Sequence, residues 1–151
     1  MTDAPEPLAP RAVGIARILT GTAVIALLVH TYLLGVEAGR TSLFDYFGYF
    51  TNLTSLLTSA LLILAGVLAL RGQRHPVRLA YARGVAVTCM LLVALVYNLI
   101  VPGTGSAPAW VSVSLHAVFP LLVVLDWLLI RDRPALRWRH LWVVTLYPLV
   151  W

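Results

Sequence analysis

The sequence predicts an all-α, polytopic membrane helix bundle, and three observations predict it. Hydrophobic residues fill 60% of the 151 positions and charged ones only 11%, against about a quarter charged in an ordinary soluble domain. Mean hydropathy is +0.89. The charges are also gathered into short clusters, leaving apolar runs that a water-soluble fold of this size could not cover. A soluble globular protein, a disordered chain and a disulfide scaffold are excluded, and the single Cys89 sits in an apolar run as a small hydrophobe.

Each element follows from the next break in the hydrophobic pattern. Residues 1–17 read as a tail, because Met1 to Pro10 holds three prolines and two acids and Arg17 precedes the first long apolar run. That run, 18–36, is 19 residues long with His30 as its strongly polar member, enough to cross a hydrocarbon core of roughly 30 Å. It exceeds the apolar part of a signal peptide, about 7–15 residues, and is therefore a spanning helix. The runs 46–70, 84–101 and 110–130 give three more helices, ended by Arg71, Pro102 and Arg131. A fifth run, 141–151, has 11 residues and would climb only about 16 Å, so the chain is expected to stop in mid-membrane, as a fragment would.

All 11 positive charges are arginine. Ten of them fall before the first helix, between the second and third, or after the fourth, and only Arg40 lies on the other side. The positive-inside rule then makes the N-terminus and both arginine loops cytoplasmic, in a multi-pass protein of the cell membrane. Net charge, +5, reflects this topology. Nucleic acid is not an expected partner, membrane lipids are, and neither a metal site nor a cofactor motif is present. Aromatics from Phe44 to Phe50, with Trp110, Trp127, Trp138 and Trp142, suit the two interfaces.

Counting inward from the arginine-poor outer end, His30, Thr51, Asn98 and His116 all lie about 5–9 Å below the boundary, one from each helix. A polar side chain in lipid has lost water and gained no partner, so these are expected to point inward and meet. Ser55, four residues after Thr51, and Ser112, four before His116, share those helix faces. Asp126 lies about 15 Å deeper and needs a structural ion-pair partner, for which Arg17 or Arg83 is available.

The segments Tyr49-Phe50-Thr51-Asn52-Leu53, Val96-Tyr97-Asn98-Leu99, Leu115-His116-Ala117-Val118-Phe119-Pro120 and Leu125-Asp126-Trp127-Leu128-Leu129, with the Tyr147-Pro148-Leu149 ending, carry a resemblance. The chain resembles the androgen-induced membrane protein family and its bacterial six-helix relatives. The resemblance implies an intramembrane threonine hydrolase of fatty acid esters of hydroxy fatty acids, with its catalytic positions falling on Thr51 and His116. Where the bacterial relatives often have Gln and Asn after the threonine, this chain has Thr54 and Ser55. On this reading Thr51 attacks a lipid ester, His116 is the general base, and the amides of Asn52 or Asn98, with His30 and Ser55 beside them, serve the substrate or its oxyanion. Two other classes stay open: a non-catalytic carrier or structural protein whose polar layer holds helices together, and a b-type haem protein ligated by His30 and His116.

Overall fold

The computed structural model describes residues 9–103 and 107–136, together with 142, 145 and 146. It is a bundle of four membrane-crossing helices, with no strand among the described residues. The first crossing is α1 (Arg11–Glu37) and the second is α3 (Phe50–Leu70), preceded by a short helix, α2 (Leu43–Gly48). The third is α4 (Val77–Leu95), which runs into a π turn at Val96–Ile100. The fourth consists of α5 (Ala109–Val113), a second π turn at Ser114–Val118, and α6 (Phe119–Leu129).

The four crossings lie where the hydropathy puts them, but their ends at Arg17 and Arg83 do not. α1 begins at Arg11, so residues 11–17 are helix and not tail, and α4 begins at Val77 instead of 84. The reason is common to both. Arg17 and Arg83 are buried inside the bundle, so they do not mark a water boundary. The run 46–70 is also two helices, because the chain is extended at Tyr49 (φ −73°, ψ 126°). Ser42 caps α2 by accepting the amide of Asp45 at 3.1 Å, and Asn52 donates to the carbonyl of Tyr46 at 2.9 Å across the break. The run 141–151 lies almost wholly outside the described residues.

Two helices end in the same device. Gly39 (φ +81°) and Gly72 (φ +62°) take the left-handed conformation, which lets Arg40 and Gln73 donate back to Gly35 and Leu68, each at 2.9 Å. This satisfies carbonyls that the helix leaves open.

Packing follows small-residue seams. The buried face of α1 is Gly14, Arg17, Gly21, Val24 and Leu28, a 3-4 repeat, and it lies against α3, whose buried face includes Ser55, Thr58, Ser59, Leu62, Ala65 and Gly66. A Cβ at Gly21 would fall 2.7 Å from the Ser59 carbonyl, and one at Gly66 would fall 2.6 Å from that of Gly14. Backbones this close maximise dispersion contact where lipid provides no hydrophobic driving force. The apolar centre is Val24, Leu28, Leu62, Met90, Val93, Val111, Leu115, Phe119 and Val123, and Cys89 is buried as a plain hydrophobe.

Candidate functional site

Two polar layers stand apart along the bundle. Nearer the arginine-poor end, the two π turns face each other. Pro120, near the start of α6, has no N–H to return to the carbonyl of His116 four residues earlier. Asn98 supplies the missing donor: its Nδ2 gives one hydrogen bond to the His116 carbonyl at 2.9 Å and another to Ala94 at 2.8 Å. The π turn between α5 and α6 places His116 flat against Tyr97 of the other π turn, with ring centroids 3.5 Å apart and 12° between planes.

His116 is oriented from a second direction. Its Nδ1 lies 2.8 Å from the carbonyl of Ser112. A carbonyl only accepts, so Nδ1 carries the hydrogen and Nε2 keeps its lone pair. No hydrogen bond engages Nε2 among the described residues. The ring is half-buried.

Of the remaining residues expected in this layer, beyond Asn98 and Ser112, none is hydrogen-bonded to His116 among the described residues. Thr51, second residue of α3, is half-buried, and its hydroxyl has no hydrogen bond among the described residues. The hydroxyls of Thr31, Thr54, Thr88 and Ser114, by contrast, each bond the carbonyl four residues back, at 2.6 to 3.0 Å. For Thr51 that carbonyl belongs to Phe47 in α2, before the bend at Tyr49. Phe50, beside it, packs on the cluster that includes Leu115, and α3 touches the π turn carrying His116. Ser55 is fully buried with no partner for its hydroxyl, as are Thr58 and Ser59. His30 is exposed and lies against Trp110 at 5.9 Å. Asn98, expected as an oxyanion donor, has spent both of its N–H groups, whereas Asn52 keeps one.

The second layer, toward the arginine-rich end, is a closed ring of charges. Asp126 accepts from Arg17 Nε at 2.7 Å and from Arg83 Nη2 at 2.7 Å, so both arginines proposed as its partners bind it. Asp132 closes the ring on Arg17 Nη1 and on Arg83 Nη1, the latter at 3.3 Å. Two cations and two anions cancel. His75 completes the group: its Nδ1 accepts from Arg83 Nη1 at 3.0 Å, and its Nε2 donates to the carbonyl of Ala65 at 3.2 Å. Burial pushes His75 below the ordinary histidine range, although Asp132 nearby opposes it. For Asp132, burial alone would raise the carboxyl, but the hydrogen bond from Arg17 and the charges of Arg17 and Arg83 outweigh it and hold the group below the usual carboxylate range. Arg133 stacks over Trp127 at 3.6 Å and donates to the Ile130 carbonyl at 2.7 Å.

His75 and Asp132 are the residues that sequence reasoning missed. Both fall in arginine-rich connections, which read as solvated. The available signal was that Asp132 is the one acid between Arg131 and Arg139, on the side of the bundle where Arg17 and Arg83 had only the single carboxylate of Asp126 to share. Among the described residues no three His, Cys, Asp or Glu side chains are grouped so as to hold a metal ion. Comparisons with protein-family models, with curated proteins and with solved structures find no match to this chain.

Proposed function

We propose that this multi-pass membrane protein is an intramembrane hydrolase of lipid esters in the cell membrane, with Thr51 as nucleophile and His116 as general base. The resemblance to the androgen-induced membrane protein family implies the pair. The observation that carries the reading is the fixed tautomer of His116: Nδ1 is held by Ser112, the ring is clamped on Tyr97, and the Nε2 lone pair is unspent. A general base needs this arrangement, a ring oriented through one nitrogen and reactive through the other. Thr51 adds a hydroxyl not committed to a carbonyl.

The chemistry balances without a cofactor. Thr51 attacks the ester carbonyl as His116 removes its proton, and the tetrahedral intermediate collapses to an acyl-threonine while the alcohol leaves with that proton. Water, deprotonated by the same base, then releases the acid and restores the hydroxyl. The uncommitted N–H of Asn52 is the donor available to the oxyanion. The half-exposed side of His116 lets an acyl chain approach sideways from the leaflet.

The test is release of fatty acid from an ester substrate, and labelling by a serine-hydrolase-type probe, for the wild type, Thr51→Ala and His116→Ala in bilayers. The expected loss is at least about a hundredfold for His116→Ala and complete for Thr51→Ala. Hydrolysis and labelling that survive Thr51→Ala unchanged overturn the proposal.

A further inference from the structure

Each of the two π turns among the described residues carries one of two rings that meet. Tyr97 stands on the Val96–Ile100 turn of the third crossing and His116 on the Ser114–Val118 turn of the fourth. π turns are rare and concentrate at functional sites. The ring centroids are 3.5 Å apart, with 12° between planes. Carbon atoms already touch at about 3.5–4.0 Å, so rings this close are superposed with almost no lateral offset. Two neutral aromatic rings prefer an offset or edge-on contact, because their negative faces repel, whereas a cation is attracted to the centre of a ring face. The stack therefore suits a protonated imidazole better than a neutral one.

The surroundings of His116 favour the same form. The carbonyl of Ser112, 2.8 Å from Nδ1, is bonded more strongly by a charged donor than by a neutral one, and Nε2 is the nitrogen left to take a proton. No carboxylate pairs with His116 among the described residues. The elements that pack on its π turn are α3, α4, the Val96–Ile100 turn, α5 and α6. Of these, α3 and α5 hold no charged side chain, α4 holds Arg78, Tyr81 and Arg83, and α6 holds Asp126. Asp126 is about 15 Å along the crossing from His116 and is bound by Arg17 and Arg83. His30, on α1, lies against Trp110. Tyr97 is thus the titratable group in contact with the His116 ring.

We propose that Tyr97 is a positioning residue whose ring face stabilises the protonated form of His116. Its part in catalysis rests on the hydrolase reading above. The proton that Nε2 takes from Thr51 makes the imidazole a cation until that proton passes to the leaving alcohol, so the stack strengthens as the ester is attacked. Such a face changes proton affinity by roughly 2- to 30-fold.

The experiment uses the full chain with Tyr97→Phe, and then with difluorophenylalanine and pentafluorophenylalanine at the same position. Fluorine drains and finally reverses the negative face while nearly preserving ring shape, so a ring that merely packs is indifferent to it. Proton uptake by His116 is followed by NMR on ring-labelled histidine, with the resonance assigned by its absence in His116→Gln, and this needs no substrate. Release of nitrophenol from p-nitrophenyl octanoate gives kcat and KM for the same chains. The proton affinity of His116 is expected to fall at each step, by roughly 2- to 30-fold in all, and kcat to fall with it while KM stays level. Equal affinity across the series overturns the proposal, and so does a falling affinity with constant kcat. A falling affinity in a chain whose wild type hydrolyses no ester keeps the pairing of Tyr97 with protonated His116 and overturns the hydrolase reading instead.

Discussion

The two polar layers solve the same problem in opposite ways. In the ring near the arginine-rich end, each charge is answered by a residue far away in sequence: Arg17 by Asp126 and Asp132, 109 and 115 positions on. Near the other end, most polar groups are answered within one helical turn, His116 by Ser112 and Thr54 by Phe50, while Asn98 and the Tyr46 hydroxyl reach across to the carbonyls of His116 and Leu28. A charge in a dry interior needs an opposite charge wherever the fold can bring one, whereas a neutral polar group can be satisfied by a local carbonyl. The ring is therefore committed to holding the bundle, and the other layer keeps the Nε2 of His116 and the hydroxyl of Thr51 uncommitted among the described residues.

That contrast is open to direct attack, and the largest effect should come from Asp132→Ala. It leaves two buried guanidinium groups short of an anion, and the expected loss is about 3–5 kcal/mol, read as a lowered unfolding temperature in detergent or as failure to purify. Replacing Arg17, Arg83, Asp126 and Asp132 together with apolar residues of similar size should restore most of that loss, since no unpaired charge remains. A single variant as mild as the quadruple one would mean that the ring is not a unit.

Acid should separate the layers next. His75 is held neutral in the fold and below its ordinary pKa, so the unfolded chain binds its proton first: the stability it contributes is complete above about pH 6.5 and declines as pH falls below that value. Asp132 is shifted downward, so its contribution is present above about pH 3.9 and is lost as pH falls through its lower folded value. Unfolding curves should therefore weaken progressively below pH 6.5, by at most about 1.4 kcal/mol per pH unit for either group. His75→Gln should flatten the upper part of that decline and leave the lower part.

The smallest effect belongs to Asn98. Asn98→Ala should cost roughly 0.6 kcal/mol, a usual figure for one interhelical hydrogen bond in a membrane. In a Pro120→Ala background the same change should cost nearly nothing across helices, because the backbone can again reach the His116 carbonyl. A double-mutant cycle with no coupling between the two positions would show that the proline does not account for the asparagine.

The crossings were legible because their cause is summed hydropathy, which any 18-residue stretch carries whatever its neighbours do. Asp126 and its two arginines were legible for a related reason, since charge in a membrane demands charge. Helix ends at Arg17 and Arg83 were not, because a run of hydropathy stops at a buried arginine just as it stops at an exposed one. The bend at Tyr49 has local signals in Ser42 and Asp45, but the π turns do not, beyond Pro120 itself. In the candidate site, depth placed Asn98 and His116 together correctly. It could not tell that Asn98 would be consumed by a carbonyl or that His30 would face outward, since both depend on rotation about the helix axis.

The closed ring also has a history in time. Arg17 enters the membrane 109 residues before Asp126 is made, and at about 5–20 residues per second it waits roughly 5–20 seconds for its first counter-charge, with Arg83 waiting for part of that interval. Until then α1 and α4 each carry an uncompensated cation, which favours a shallow position with the guanidinium near the headgroups. Synthesis of Asp126 and then Asp132 is the event that lets both helices settle to full depth. A ribosome paused between residues 90 and 125 would hold the nascent chain in a state that membrane quality control can recognise by two unneutralised arginines.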